Sequence, residues 1–83
     1  MAALQQEIKQ FILRNFLFTE DESLLGNAES LMRKGIVDST GILELIMHLE
    51  SNYSIKVLDE EMVPANLDSV DTIADFVARK RGN

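Results

Sequence analysis

The sequence predicts an all-α fold, with three longer helices, one short helix third in order, and a long connection between the first two. Three observations predict it. Apolar residues recur at helical spacing in three separate stretches. Ile55 and Val57 alternate with Ser54 and Lys56 as in a strand, but no second strand exists to pair with them. Residues 19–37 lack periodicity yet keep apolar anchors at Leu24, Leu25, Leu31 and Met32. Eighty-three residues make one domain, 1–83. A chain of that length buries only about 60–65% of its unfolded surface.

Leu4, Ile8, Phe11 and Ile12 define a first helix over about Ala3–Phe16, with Leu13, Leu17 and Phe18 off its main stripe. Thr19 and Glu22 have the spacing of a capping box for a short turn ending near Gly26. A connection as long as 19–37 permits the helices it joins to run parallel. The second helix is expected over Ser39–Asn52. Ile42, Leu45, Ile46, Leu49 and Tyr53 lie on its inner side, with Thr40, Gly41, Glu44, Met47, His48 and Ser51 opposite. Residues 54–57 read as an extended connector that buries Ile55 and Val57. Asp59-Glu60-Glu61-Met62 suggests the short third helix, capped by Asp59 and limited by Pro64. The last helix begins at Asp68 or Ser69 and carries a stripe of Val70, Ile73, Ala74 and Val77, with Phe76 beside it. Asp75 and Arg79 are placed for an i,i+4 pair. Arg79, Lys80 and Arg81 suit the negative end of the helix dipole, and Gly82 is a natural stop.

Composition excludes several classes of function. The chain has no cysteine, so it holds neither a disulfide framework nor a thiolate metal site. One histidine excludes a multi-histidine metal centre. The glycines form no phosphate-cradling pattern, and the acids of 20–22 and 59–61 lack calcium-loop spacing. Net charge is −6, and residues 1–78 alone hold 14 acids against 5 bases. Such a surface repels nucleic acid and anionic lipid and attracts basic partners. No run of residues approaches a membrane span, and no secretory signal is read at the amino terminus. A soluble cytoplasmic monomer is the expectation. Ser39, His48 and Asp38 do not make a hydrolytic triad, because nine helical residues separate Ser39 from His48 by about 13 Å. The chain is expected to be no enzyme.

The informative stretch is Gly35-Ile36-Val37-Asp38-Ser39-Thr40-Gly41-Ile42-Leu43-Glu44-Leu45-Ile46. Asp38 and Ser39 sit where loop becomes helix, and both residue types cap helices well. A hydroxyl at that corner faces the positive end of the helix dipole, where an attached phosphate is stabilised. Asp-Ser before an apolar run is by itself most often only a cap.

With Glu44-Leu45-Ile46, Leu49-Glu50, Tyr53, Ile55 and Val57 following it, this stretch resembles the acyl carrier protein family over nearly the whole chain. The resemblance implies a four-helix bundle of acyl-carrier type and a 4′-phosphopantetheine arm, taken from coenzyme A, on Ser39. It implies a phosphopantetheinyl transferase recognising Asp38, and a carboxylic acid cargo held as a thioester and presented to downstream acyl-processing enzymes. Thr40, Leu43, Glu44, Met47 and Glu50 match partner-contact positions. Ile46, Leu49, Tyr53 and Val57 match the lining of an acyl cleft. Thr40 and Gly41 stand where fatty-acid-synthesis carriers have leucine and an acid, and Asp38 to Ile46 looks nearer to D-alanyl carriers. Met62-Val63-Pro64-Ala65-Asn66-Leu67 is similar to stand-alone aminoacyl carriers. A specialised aminoacyl or peptidyl-type carrier, loaded by an adenylating ligase, is therefore expected. A housekeeping fatty-acid carrier and a non-covalent acidic helical adaptor remain the alternatives.

Overall fold

In the computed structural model, which describes residues 2–81, helix α1 (Ala2–Ile12) forms because Leu4, Ile8 and Ile12 repeat along one face. All three are buried. The helical path continues toward Phe16 as expected, but Leu13–Leu17 is a π-helical turn. That wider turn leaves Leu13 fully buried and Leu17 packed against the core. It ends at Phe18, whose backbone is left-handed at φ 55°.

The expected Thr19–Glu22 capping box is not formed. Asp21 caps the 3₁₀ turn Glu22–Leu24 instead, its side chain accepting from the Ser23 N–H at 3.0 Å. Glu22 is drawn away to α1, where the Gln6 and Gln10 side-chain amides both donate to its carboxylate. Of the four expected loop anchors, Leu25 and Leu31 are buried while Leu24 and Met32 are exposed. Val37 is buried as well and Ile36 packs against the core, and polar bonds to the start of the last helix complete the fastening. The Leu31 N–H donates to the Asp68 carbonyl at 2.7 Å. The Asp68 carboxylate accepts from Ser30 Oγ at 2.5 Å and from the Met32 N–H at 3.0 Å.

Helix α2 (Ser39–Tyr53) turns Leu45, Ile46 and Leu49 into the core, with Ile42 and Tyr53 packed at its edge. Three contacts show that α2 runs antiparallel to α1, correcting the parallel arrangement that the long connection permits. Phe16 lies against Gly41, Phe11 stacks on His48, and Tyr53 bonds Glu7. The same contacts move two residues off the expected polar face. Gly41 is buried, and a Cβ there would meet Phe16 Cε1 at 2.8 Å. His48, expected to be exposed, is half-buried, its ring 3.7 Å from that of Phe11 with 13° between the planes.

Ile55 and Val57 are buried in an extended connector, as predicted. The third helix is displaced from its expected place. Asp59–Glu61 is a single 3₁₀ turn, and Leu58, not Asp59, stands at its N-cap position. The helix proper, α3 (Pro64–Leu67), follows the proline. Proline's fixed φ and missing N–H suit the first helical position, so Pro64 starts this helix. Val63 before it is extended, at φ −125° and ψ 154°.

Helix α4 (Val70–Lys80) is capped by Ser69. Val70, Ile73, Ala74, Phe76 and Val77 are all buried. It packs against α1 and α3. The predicted Asp75–Arg79 pair is present at 3.4 Å. Lys80 reaches Glu61 at 2.8 Å and holds its carboxyl below the usual range, helped by the Leu58 N–H. Arg81 lies over the Tyr53 ring at 5.7 Å. The three closing bases thus fasten the end of the bundle. The expected stop at Gly82 lies outside the described residues.

Candidate functional site

The start of α2 is set by Asp38, which is extended (φ −105°, ψ −171°) and accepts from the Gly41 N–H at 2.7 Å through Oδ1. Asp38 is the cap, so Ser39 is the first helical residue. Its side chain is exposed and makes no hydrogen bond among the described residues. A free hydroxyl therefore stands on a backbone fixed from both sides, by the cap below and by the Gly41–Phe16 contact behind. The unpaired N–H groups of the first turn add positive potential there.

Beside this hydroxyl lies a groove of about 250 Å³, lined by Met32, Ser39, Ile42, Met62, Val63, Pro64 and Leu67. Ser39 is the only polar residue among its described lining. The loop supplies Met32, α2 supplies Ser39 and Ile42, and the segment through α3 supplies the rest. The ion pair of Glu61 with Lys80 and the bond from the Asn66 side-chain amide to the Glu61 carbonyl (2.9 Å) brace that last wall.

Thr40, Leu43, Glu44 and Met47 are exposed on α2, with Leu43 and Met47 at 55% and 67% of full exposure. Glu50 is placed differently from the other four, because its Oε2 accepts from the Val57 N–H at 2.9 Å and so holds the connector. None of Ile46, Leu49, Tyr53 and Val57 lines the groove beside Ser39. Ile46, Leu49 and Val57 are buried in the core. Tyr53 faces α1 and donates its hydroxyl to Glu7 Oε1 at 2.8 Å. Burial and that acceptor push the Tyr53 phenol up to about 12. Sequence reasoning missed the groove wall of Met32, Met62, Val63 and Leu67. Its one signal was apolar residues on either side of Pro64 that no single helix stripe absorbs.

Other chemistry does not assemble. His48 lies along α2 from Ser39 and is stacked on Phe11. Burial lowers its pKa, with Glu7 opposing. Among the described residues no group of three His, Cys, Asp or Glu side chains is placed to hold a metal ion. No helix among them is long and apolar enough to cross a membrane.

A small acidic bundle that presents one free hydroxyl at a helix start, beside an apolar groove, defines a class of presenting domain. Comparison with known proteins narrows the class. The chain is 32% identical over 79 residues to the acyl carrier protein of Buchnera aphidicola subsp. Baizongia pistaciae (strain Bp), covering 95% of this chain and 96% of that protein. No protein-family model matches the sequence. On that full-length relationship and the helical bundle, the chain belongs to the acyl carrier protein family.

Proposed function

We propose that the chain is a non-catalytic carrier whose attachment point is Ser39. The observation that carries this reading is the free, exposed hydroxyl at the first position of α2, beside an apolar groove. The residues fit a phosphopantetheine group. Ser39 Oγ would hold its phosphate by an ester bond, and the α2 N-terminus suits the remaining negative charge. When bound, the group supplies a flexible arm ending in a thiol, which carries a carboxylic acid as a thioester. The chain's own residues do the rest. Asp38 fixes the corner and offers an acid to the transferase that installs the group from coenzyme A. Thr40, Leu43, Glu44 and Met47 offer an exposed, partly apolar face to basic partner enzymes. Met32, Ile42, Met62, Val63 and Leu67 offer apolar shelter next to the attachment point.

Among the described residues the groove holds no charged side chain, while Thr40 and Gly41 depart from fatty-acid-synthesis carriers. We therefore favour a specialised acyl cargo, or an aminoacyl cargo whose ammonium stays outside the groove, loaded by an adenylating ligase. The test is incubation of the purified protein with coenzyme A and a broad-specificity phosphopantetheinyl transferase, followed by intact-mass spectrometry. One added phosphopantetheine is expected on the wild type and none on Ser39→Ala. A folded wild type that gains no mass, or an equal gain on Ser39→Ala, removes the reading and leaves the non-covalent adaptor.

A further inference from the structure

Phe18 combines two costs that a purely structural residue at its position avoids. Its φ is 55°, the left-handed conformation in which a side chain's Cβ crowds the following carbonyl. Glycine is the default residue at such a helix end. Its side chain is also 85% exposed, the most exposed large apolar group among the described residues. Leu17 beside it packs against the core, and Phe11 and Phe16 meet edge to face, while Phe18 takes part in no ring contact among the described residues. The two N–H groups of Phe18 and Thr19 that bond the Leu13 carbonyl close the helix through backbone alone and need no phenyl ring. Strain with no packing return is characteristic of residues kept for contact with something else.

Place and charge identify that contact. Phe16 touches Gly41, so the π-helical turn after α1 abuts the start of α2. Phe18 lies two residues from Phe16 and Ser39 two from Gly41, each at most about 7.6 Å of Cα path from that contact. No lysine or arginine occurs between Asn15 and Met32, whereas Glu20, Asp21 and Glu22 follow one residue after Phe18, beyond Thr19. An enzyme that processes cargo at the far end of an arm need not cover this corner. The enzyme that forms the bond to Ser39 Oγ must. We propose that Phe18 docks in an apolar, basic-rimmed pocket of the phosphopantetheinyl transferase, as a second contact beside the α2 face. This inference rests on the carrier reading.

The experiment measures initial rates of arm transfer from coenzyme A by the host's own transferase as the full chain is varied, together with thermal melting. Phe18→Gly is expected to raise KM about tenfold with kcat within about twofold, the pattern of lost ground-state docking. Its Tm should stay unchanged or rise by a few degrees, because the strain is relieved. Phe18→Asn, also tolerant of left-handed backbone, should match Phe18→Gly, and Phe18→Leu should recover part of the loss. Wild-type KM in the glycine and asparagine variants overturns the inference. So does a Tm fall of several degrees in both, which would make Phe18 structural. A wild type that accepts no arm removes the carrier reading and this inference with it, so the two failures are distinguishable.

Discussion

Asp38-Ser39 and Asp68-Ser69 are the same dipeptide at the starts of two helices, and their side chains exchange roles. At α2 the aspartate caps, accepting from the N–H three residues on, and the serine is left exposed as the first helical residue. At α4 the serine caps, accepting from the Thr72 N–H at 3.1 Å, while Thr72 Oγ1 accepts from the Ser69 N–H at 3.1 Å. Ser69 is only 6% exposed, the one buried polar side chain of the described core. The difference comes from what else competes for the aspartate. Asp68 is held by Ser30 Oγ and the Met32 N–H, so it cannot cap, and the register of the helix start moves one residue. Among the described residues, the Asp38 side chain serves only the Gly41 N–H. A one-residue shift in capping thus decides whether a serine becomes interior or available.

The sharpest break between the two corners is chemical. Ser39→Ala should lose all arm addition, whereas Ser69→Ala should be modified at close to the wild-type rate once folded. Ser69→Ala should instead lower stability by about 1–2 kcal/mol, the ordinary worth of a cap with buried partners. Mass spectrometry and denaturant melts on the two proteins separate these outcomes. Modification lost in both variants, with both folded, would mean that the corners are not independent.

Asp68→Ala should have the next largest effect, about 2–3 kcal/mol, because two charge-assisted bonds from the loop end on that carboxylate. Asp68→Asn keeps one acceptor and should lose less. Since Met32 lines the groove, the loosened loop should also raise the proteolytic sensitivity of residues 27–37. Equal stability of wild type and Asp68→Ala would show that the carboxylate adds nothing to the hold of the buried Leu25, Leu31 and Val37 and of the Leu31 N–H bond to the Asp68 carbonyl.

Asp38→Ala should cost about 1 kcal/mol by loss of the cap, and Asp38→Asn should restore that stability. The asparagine variant then isolates the charge. Under the carrier reading it melts like wild type but accepts the arm more slowly. Equal transfer rates would reduce Asp38 to a cap, as Ser69 is.

These differences explain what could be read from the sequence. Helical periodicity reports which side of a segment is apolar, so Leu4, Ile8, Ile12, Leu45, Leu49, Ile73 and Val77 were legible as core. It does not report contacts between segments. Gly41 sits on the polar arc of α2 by angle, yet Phe16 from the π-helical turn after α1 closes over it because it has no Cβ. His48 was missed for the same reason, its burial coming from Phe11 on another helix. Thr19 and Glu22 have capping-box spacing, but two glutamines one turn apart on α1 outbid the backbone for Glu22. The Asp38-Ser39 corner was legible because capping is local. The groove beside it was not, because Met32 and Met62 meet there only after residues 19–37 fold back. Asp68 likewise showed only its suitability for a helix start, not its hold on the loop.

The smallest expected effect lies away from both serines, at the seam between α1 and α2. The His48 ring is stacked on Phe11, with the Asn52 side-chain amide 3.0 Å from Nδ1, an arrangement that suits a neutral imidazole. Burial lowers its pKa below the ordinary 6.5, and the nearby Glu7 carboxylate only partly offsets this. The unfolded chain therefore binds more protons than the folded one between the lowered value and 6.5. His48 contributes its full stability above about pH 6.5, and that contribution is lost as pH falls through the window beneath. Glu61, whose carboxyl Lys80 holds low, loses its contribution only in a more acidic range, below its ordinary 4.5. Melting of wild type and His48→Gln between pH 5 and 8 should show a shallow slope present in the first and absent in the second. A constant difference in Tm across that range would mean that the stack tolerates the imidazolium as well as the neutral ring.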